Sequence, residues 1–285
     1  MTRLLFVSLF VLTACGPIAT TPDAGGGGHT HADVTQLTFK AKVGTQDFAC
    51  GQTYSLGTPA TQYRPRDLRL YVHDVVLTTE EGVDVPFTLT DDGTFQHGGI
   101  ALLDFENKAG DCSAGTEATH TVLKGLAEGG HYEKLSFTVG VPFAQNHQDA
   151  AAAAAPLNST AMFWNWNGGY KFAKIDGLTT GLPNGHNLHL GSTGCMAGPT
   201  PNSVASCTNA NRPRVTLPFN PELGKAVVLD LARLFEGSNL DTNTAMTAPG
   251  CMSGATDPEC APLFQKFGLP FGTQAAGTQT FFSVE

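Results

Sequence analysis

The sequence predicts an all-β protein: a single β-sandwich with long disulfide-stapled loops and few short helices. Three observations lead there. Apolar and polar residues alternate in many short runs, the period of strands with one buried face. Thirty-three glycines and seventeen prolines in 285 residues imply frequent turns and few long helices. Cysteines also fall in pairs around loops rich in Pro, Ser, Thr, Asn and Gly.

The N-terminus comes first. Met1-Thr2-Arg3 precedes an apolar run, Leu4 to Leu12, which is too short to span a bilayer as a stable helix and has the charged start and small-residue end of a secretory signal. Its ending, Leu12-Thr13-Ala14-Cys15-Gly16, resembles a bacterial lipobox, in which the cysteine thiol is lipidated and becomes the mature N-terminus. Residues 1–14 are thus read as a lipoprotein signal peptide and Cys15 as the lipid anchor. Residues 15–33, with Gly25 to Gly28, cannot bury apolar area and read as a flexible tether. The folded domain is expected over 34–285, exported to the periplasm or outer membrane and attached to the membrane by the lipid alone.

Within it the alternation is clearest at Leu37, Phe39, Ala41, Val43, at Leu68, Leu70, Val72, and at Leu135, Phe137, Val139, Val141. Further strands are expected at 85–90, 99–105, 161–166, 170–175, 186–191, 213–218, 225–230 and 279–284. Short helices are expected in the alanine run 150–155, stopped by Pro156, and over 229–235 and 260–267. No repeat of solenoid or propeller length is present.

Six cysteines follow Cys15. Cys195/Cys207 and Cys251/Cys260 each enclose a short polar loop, which suggests two local staples and leaves Cys50 with Cys112; six cysteines joined in pairs allow fifteen arrangements. A structural zinc site is the rival, but C-x-x-C is missing.

A net charge of −9, from 25 acidic and 16 basic side chains, is the wrong sign for an extended phosphate-binding surface, so nucleic acid is not an expected partner. G-x-S-x-G, H-E-x-x-H, the P-loop, the dinucleotide fingerprint and C-x-x-C-H are all missing. The chain therefore announces no enzyme site and no covalent haem.

What remains is imidazole and indole. Nine histidines are many for a chain with 14% charged residues, and neutral imidazole is the commonest ligand for copper and zinc. His29 and His31 fall in the tether. His73, His120 and His131 read as surface or satisfied residues. His186 and His189, three apart on a strand, face opposite sides, and His189 precedes the rigid segment Gly191-Ser192-Thr193-Gly194-Cys195. His147 follows the strand ending in Val141, and His97 precedes the apolar run Ile100 to Leu103. The two tryptophans stand in Met162-Phe163-Trp164-Asn165-Trp166-Asn167-Gly168-Gly169-Tyr170-Lys171-Phe172; on a strand, Met162, Trp164 and Trp166 share a face.

Trp164-Asn165-Trp166 with Gly169-Tyr170-Lys171-Phe172, Gly140-Val141-Pro142-Phe143, Asn146-His147, Pro156-Leu157-Asn158 and His189-Leu190-Gly191-Ser192-Thr193-Gly194-Cys195 together resemble the MbnP family. Phe48-Ala49-Cys50-Gly51, Leu102-Leu103-Asp104-Phe105-Glu106 and the stretch from Cys251 to Leu269 fit the same pattern, so the resemblance covers roughly 35–272. The family comprises exported copper-binding proteins, the four-Cys partner of a metallo-mystery pair. They are made alongside a MauG-like di-haem peroxidase that oxidises one tryptophan to kynurenine. This implies that the partner is the enzyme and that this chain is not.

The chemistry follows from the ring. An indole N–H donates a hydrogen bond but has no lone pair for a metal, whereas the arylamine left by ring opening is unprotonated at neutral pH and can coordinate. With imidazoles it makes a site suited to cuprous copper. The resemblance implies Trp164 or Trp166 as the modified residue and His189, His147 and His97 as the imidazoles, with Met162 a further soft donor. Two other readings stand beside it: a carbohydrate- or protein-binding sandwich that stacks a ligand on the tryptophan pair, and a metalloenzyme with His and Asp ligands.

Overall fold

The computed structural model describes residues 32–285. The expected signal peptide, Cys15, His29 and His31 lie outside the described residues, as does most of the expected tether. Among the described residues, no helix is long and apolar enough to cross a membrane.

Two sheets face one another. The smaller runs in the order 282–284, 227–230, 34–43, 122–127, 88–89, with strand Val34–Val43 at its centre and parallel to Val227–Asp230. The larger runs 214–218, 132–139, 61–79, 173–178, 186–190, 250–251. Its spine is the 19-residue strand Thr61–Thr79, which also pairs with Ile100–Asp104. Leu37 and Phe39 from the first sheet and Leu135, Phe137 and Val139 from the second turn inward, as their alternation predicts. Phe137 joins the layers: its ring meets Phe39 at 5.6 Å and Phe282 at 5.3 Å, both edge-on. Burial of this kind on two facing sheets is what the hydrophobic effect stabilises in a sandwich, and truncating such a phenylalanine costs about 3–5 kcal/mol.

All three disulfides form as the spacing suggested: Cys50–Cys112, Cys195–Cys207 and Cys251–Cys260. The middle one crosses the two-stranded ribbon Thr193–Ala197 with Val204–Asn209, in which Cys195 and Cys207 are register partners.

The sequence reading departs from the structure in several places, among them the expected strands 85–90 and 170–175, each of which is split between two sheets. The alanine run 150–155 is a series of turns, not a helix; six residues closed by a proline are too few to repay nucleation, and the helix nearby is instead Phe143–Asn146. Helices Leu231–Phe235 and Cys260–Lys266 form as expected. The expected strand 161–166 shrinks to Phe163–Asn165, since Asn165 Oδ1 accepts from the backbone N–H of Asn167 and Gly168 and turns the chain. That turn breaks the shared face: Met162 is fully buried in a 3₁₀ turn, Trp164 is half-buried, and Trp166 sits in the turn, 37% exposed. Finally, His73 is not fully satisfied, because its buried Nε2 has no hydrogen-bond partner, whereas His120 is, through Leu102 O and a stack on Phe95.

A candidate metal centre beside Trp164

The central strands of the larger sheet carry an ionic chain that ends on His189. Strand Ala173–Leu178 pairs with His186–Leu190, so that Lys174 lies opposite His189. Asp67 binds Arg69 in a fork and also receives the Lys174 ammonium; Lys174 Nζ reaches Asp176 at 2.9 Å, and Asp176 Oδ1 accepts from His189 Nε2 at 2.9 Å. Asp67, Arg69, Asp176 and His189 are all buried. Burial works against the Asp176 carboxylate, but the hydrogen bond from His189 and the hydrogen bond and charge of Lys174 outweigh it and hold its carboxyl below the usual range.

This arrangement fixes the imidazole. With its proton on Nε2, donated to Asp176, the lone pair of His189 lies on Nδ1, and that atom is buried without a hydrogen-bond partner. A carboxylate behind one ring nitrogen and an open lone pair on the other is the arrangement of a metal-ligating histidine. The Trp164 indole lies beside it, ring centroids 6.4 Å apart. The indole rests on Gly191, where an added Cβ would stand 2.4 Å from its Cζ3. A cleft of about 330 Å³ opens at Trp164, lined also by Asn167, Ser192, Thr193, Cys195 and Met252.

The surrounding loops are pinned by hydrogen bonds. Ser253 Oγ accepts from Gly191 N and donates to His189 O, and Asn211 Nδ2 donates to Gly191 O. On the other side Asn146 Oδ1 accepts from Tyr170 N, which fastens the tryptophan turn to helix Phe143–Asn146. His147, at the end of that helix, donates from Nδ1 to Trp166 O at 3.1 Å, and its Nε2 accepts from Asn146 Nδ2 at 3.1 Å with Cys207 Sγ 3.4 Å away. Burial lowers its pKa, which keeps the ring neutral. His147 lies with Cys195 and Cys207 in a donor cluster within 4.8 Å, but the two sulfurs are bonded to each other and present no thiolate. His97, half-exposed on a hairpin, holds Asp91 at 2.8 Å.

The structure thus brings Trp164 to His189 and sets His147 against the disulfide that borders the same cleft. It gives His97 a separate partner and buries Met162. Asp176, Lys174 and Met252 were not singled out from the sequence. For the first two a signal existed, since charged residues inside a strand as interior as 173–178 must be paired. Nothing local marks Met252 beyond its neighbour Cys251.

Fold and site together define a disulfide-stapled β-sandwich that holds an indole against a carboxylate-anchored imidazole, the outline of a metal-binding protein. The chain belongs to the MbnP family: the family model described as MbnP matches residues 32–253. Among solved structures, MbnP from Methylosinus trichosporium is similar with a TM-score of 0.78 and 28% sequence identity, covering 89% of this chain and 98% of that one. No curated protein matches the chain.

Proposed function

We propose that this chain is an exported, non-catalytic copper-binding lipoprotein, anchored through Cys15, whose Trp164 is oxidised to kynurenine by a MauG-like di-haem peroxidase before copper is held. The observation that carries this reading is the orphaned Nδ1 of His189, backed by Asp176 and set beside Trp164. Trp164 rather than Trp166 is the modified residue, because only its ring neighbours that imidazole; Trp166 is the exposed residue of the turn and is available to a docking partner.

Oxidation breaks the indole C2–C3 bond. Two equivalents of peroxide, used by the partner, each give one oxygen atom to C2 or C3 and lose the other as water, and hydrolysis by a further water then releases C2 as formate. What stays on the chain is an aryl ketone and an arylamine. Copper supplies a soft cation that such an amine and neutral imidazoles suit. His189 is the first imidazole and His147 the second; His97 joins only if the metal displaces Asp91. The chain's own residues orient the donors: Asp176 sets the His189 tautomer, Asn146 fixes the tryptophan turn, and Gly191 lets the indole lie close to the strand.

Copper stoichiometry measured with and without the peroxidase, in the wild type and in Trp164→Phe and Trp166→Phe, tests the reading. Copper retention by Trp166→Phe and its loss in Trp164→Phe is the expected pattern. Full copper binding by unmodified protein would overturn it.

A further inference from the structure

On the opposite side of the strand from His189 lies a second, separate polar cavity. His186 and His189 are three residues apart, roughly 10 Å along the strand, and face opposite ways. His186 is 1% exposed, its ring edge-on to Phe235 at 5.8 Å, and it lines a cavity of about 230 Å³ with Ser238, Asn239, Thr242 and Glu259.

Three side-chain atoms of this lining are buried with no hydrogen-bond partner: His186 Nδ1, Ser238 Oγ and Glu259 Oε2. One orphan is tolerable; three in a single cavity call for an occupant that pairs with them. The other Glu259 oxygen is already used, accepting from Thr244 N at 2.7 Å and Thr244 Oγ1 at 2.8 Å, which aims the carboxylate.

The donor set fixes the kind of occupant. An anion is excluded by the Glu259 carboxylate. Imidazole nitrogen with carboxylate and hydroxyl oxygen suits a borderline divalent cation, whereas calcium and magnesium prefer oxygen alone. We propose that His186, Ser238 and Glu259 form a second metal site, for a divalent cation of the zinc type, independent of the Trp164 centre. Bound there, the cation ties the loop 237–242 to the start of helix Cys260–Lys266 and so braces the Cys251–Cys260 segment that borders the first site.

The test is a competition titration of the purified metal-free chain with zinc alone, in the wild type, Glu259→Gln and His189→Ala, each first shown to be folded by circular dichroism. Gln keeps the acceptor for Thr244 and removes the charge. Zinc affinity at one site should fall on the order of tenfold or more in Glu259→Gln and stay unchanged in His189→Ala. Equal zinc binding by wild type and Glu259→Gln would overturn the proposal. Should Glu259→Gln fail to fold, anomalous scattering from zinc-soaked wild-type crystals decides: a peak within bonding distance of His186 Nδ1 supports the site, and water alone in the cavity rejects it.

Discussion

Replacing Gly191 with alanine tests whether Trp164 sits where the candidate metal centre needs it. The added methyl carbon would stand 2.4 Å from Trp164 Cζ3, 2.7 Å from Cη2 and 2.9 Å from Tyr170 O. Carbon atoms rest at about 3.5–4.0 Å, so the near ring edge must retreat by about 1 Å or more. Tyr170 O cannot yield as readily, since it is backbone of a buried residue whose N–H is held by Asn146. The indole therefore moves toward the cleft. Overpacking of this size costs about 1–3 kcal/mol, which lowers the melting temperature by roughly 2–4 °C for each kcal/mol in a domain of this size class. Because the chain has only two tryptophans, the movement can be read directly: in a Trp166→Phe background all indole fluorescence comes from Trp164. Its emission should shift to the red in Gly191→Ala, and its conversion by the peroxidase should fall. An unchanged melting temperature together with unchanged emission would refute the placement of the ring on Gly191.

Other perturbations probe the surroundings. Asp176→Asn removes the charged partner of both His189 and Lys174; copper affinity should drop about 10–100-fold by equilibrium competition, and an unaltered affinity would show that Asp176 does not position His189. Removing the Cys195–Cys207 staple by a double alanine change should cost about 3 kcal/mol in denaturant unfolding, the loop-closure value for a sequence separation of 12; no loss would contradict a structural role. Acid should destabilise the metal-free protein. Burial lowers His73 and His186 to about 4 from 6.5, so stability tied to keeping them neutral is complete above pH 6.5 and drains as pH falls toward 4, by about 2 kcal/mol at pH 5 for His186 and by less for the more exposed, solvent-screened His73. Asp104 works in reverse: burial raises its carboxyl to about 7 from 3.8, so the fold gains from its protonation as pH falls through 7. Asp104→Asn should therefore lose more stability than the wild type between pH 7 and 5, and an equal loss in denaturant midpoints would contradict the assignment.

The strands that were legible in the sequence are the half-buried ones. Val34–Val43 and Tyr132–Val139 each show one face to the core, and the period of two follows. The central strand Thr61–Thr79 was read only at Leu68, Leu70 and Val72, and Asp67 and Arg69, the polar half of that alternation, made its other face look exposed. They are buried as an ion pair, which hydropathy alone cannot register. The cysteine pairing was readable because loop length and composition both pointed the same way. Treating Trp164 and Trp166 as one strand face failed even though the turn signal, Asn167-Gly168-Gly169, was present; two aromatics outweighed it in the reading. Of the candidate site, His189 stood out for the stiff segment that follows it. Its carboxylate partner comes from the neighbouring strand, thirteen residues away in sequence, and such pairing depends on register that no local pattern carries.

The central claim is best tested by peptide sequencing in the mass spectrometer of protein made together with its peroxidase partner and loaded with copper. The account predicts one oxygen gained and one carbon lost at Trp164, an intact Trp166, and copper retained only by the modified chains. Copper held equally by chains in which both indoles are intact, or the change located at Trp166, would contradict it.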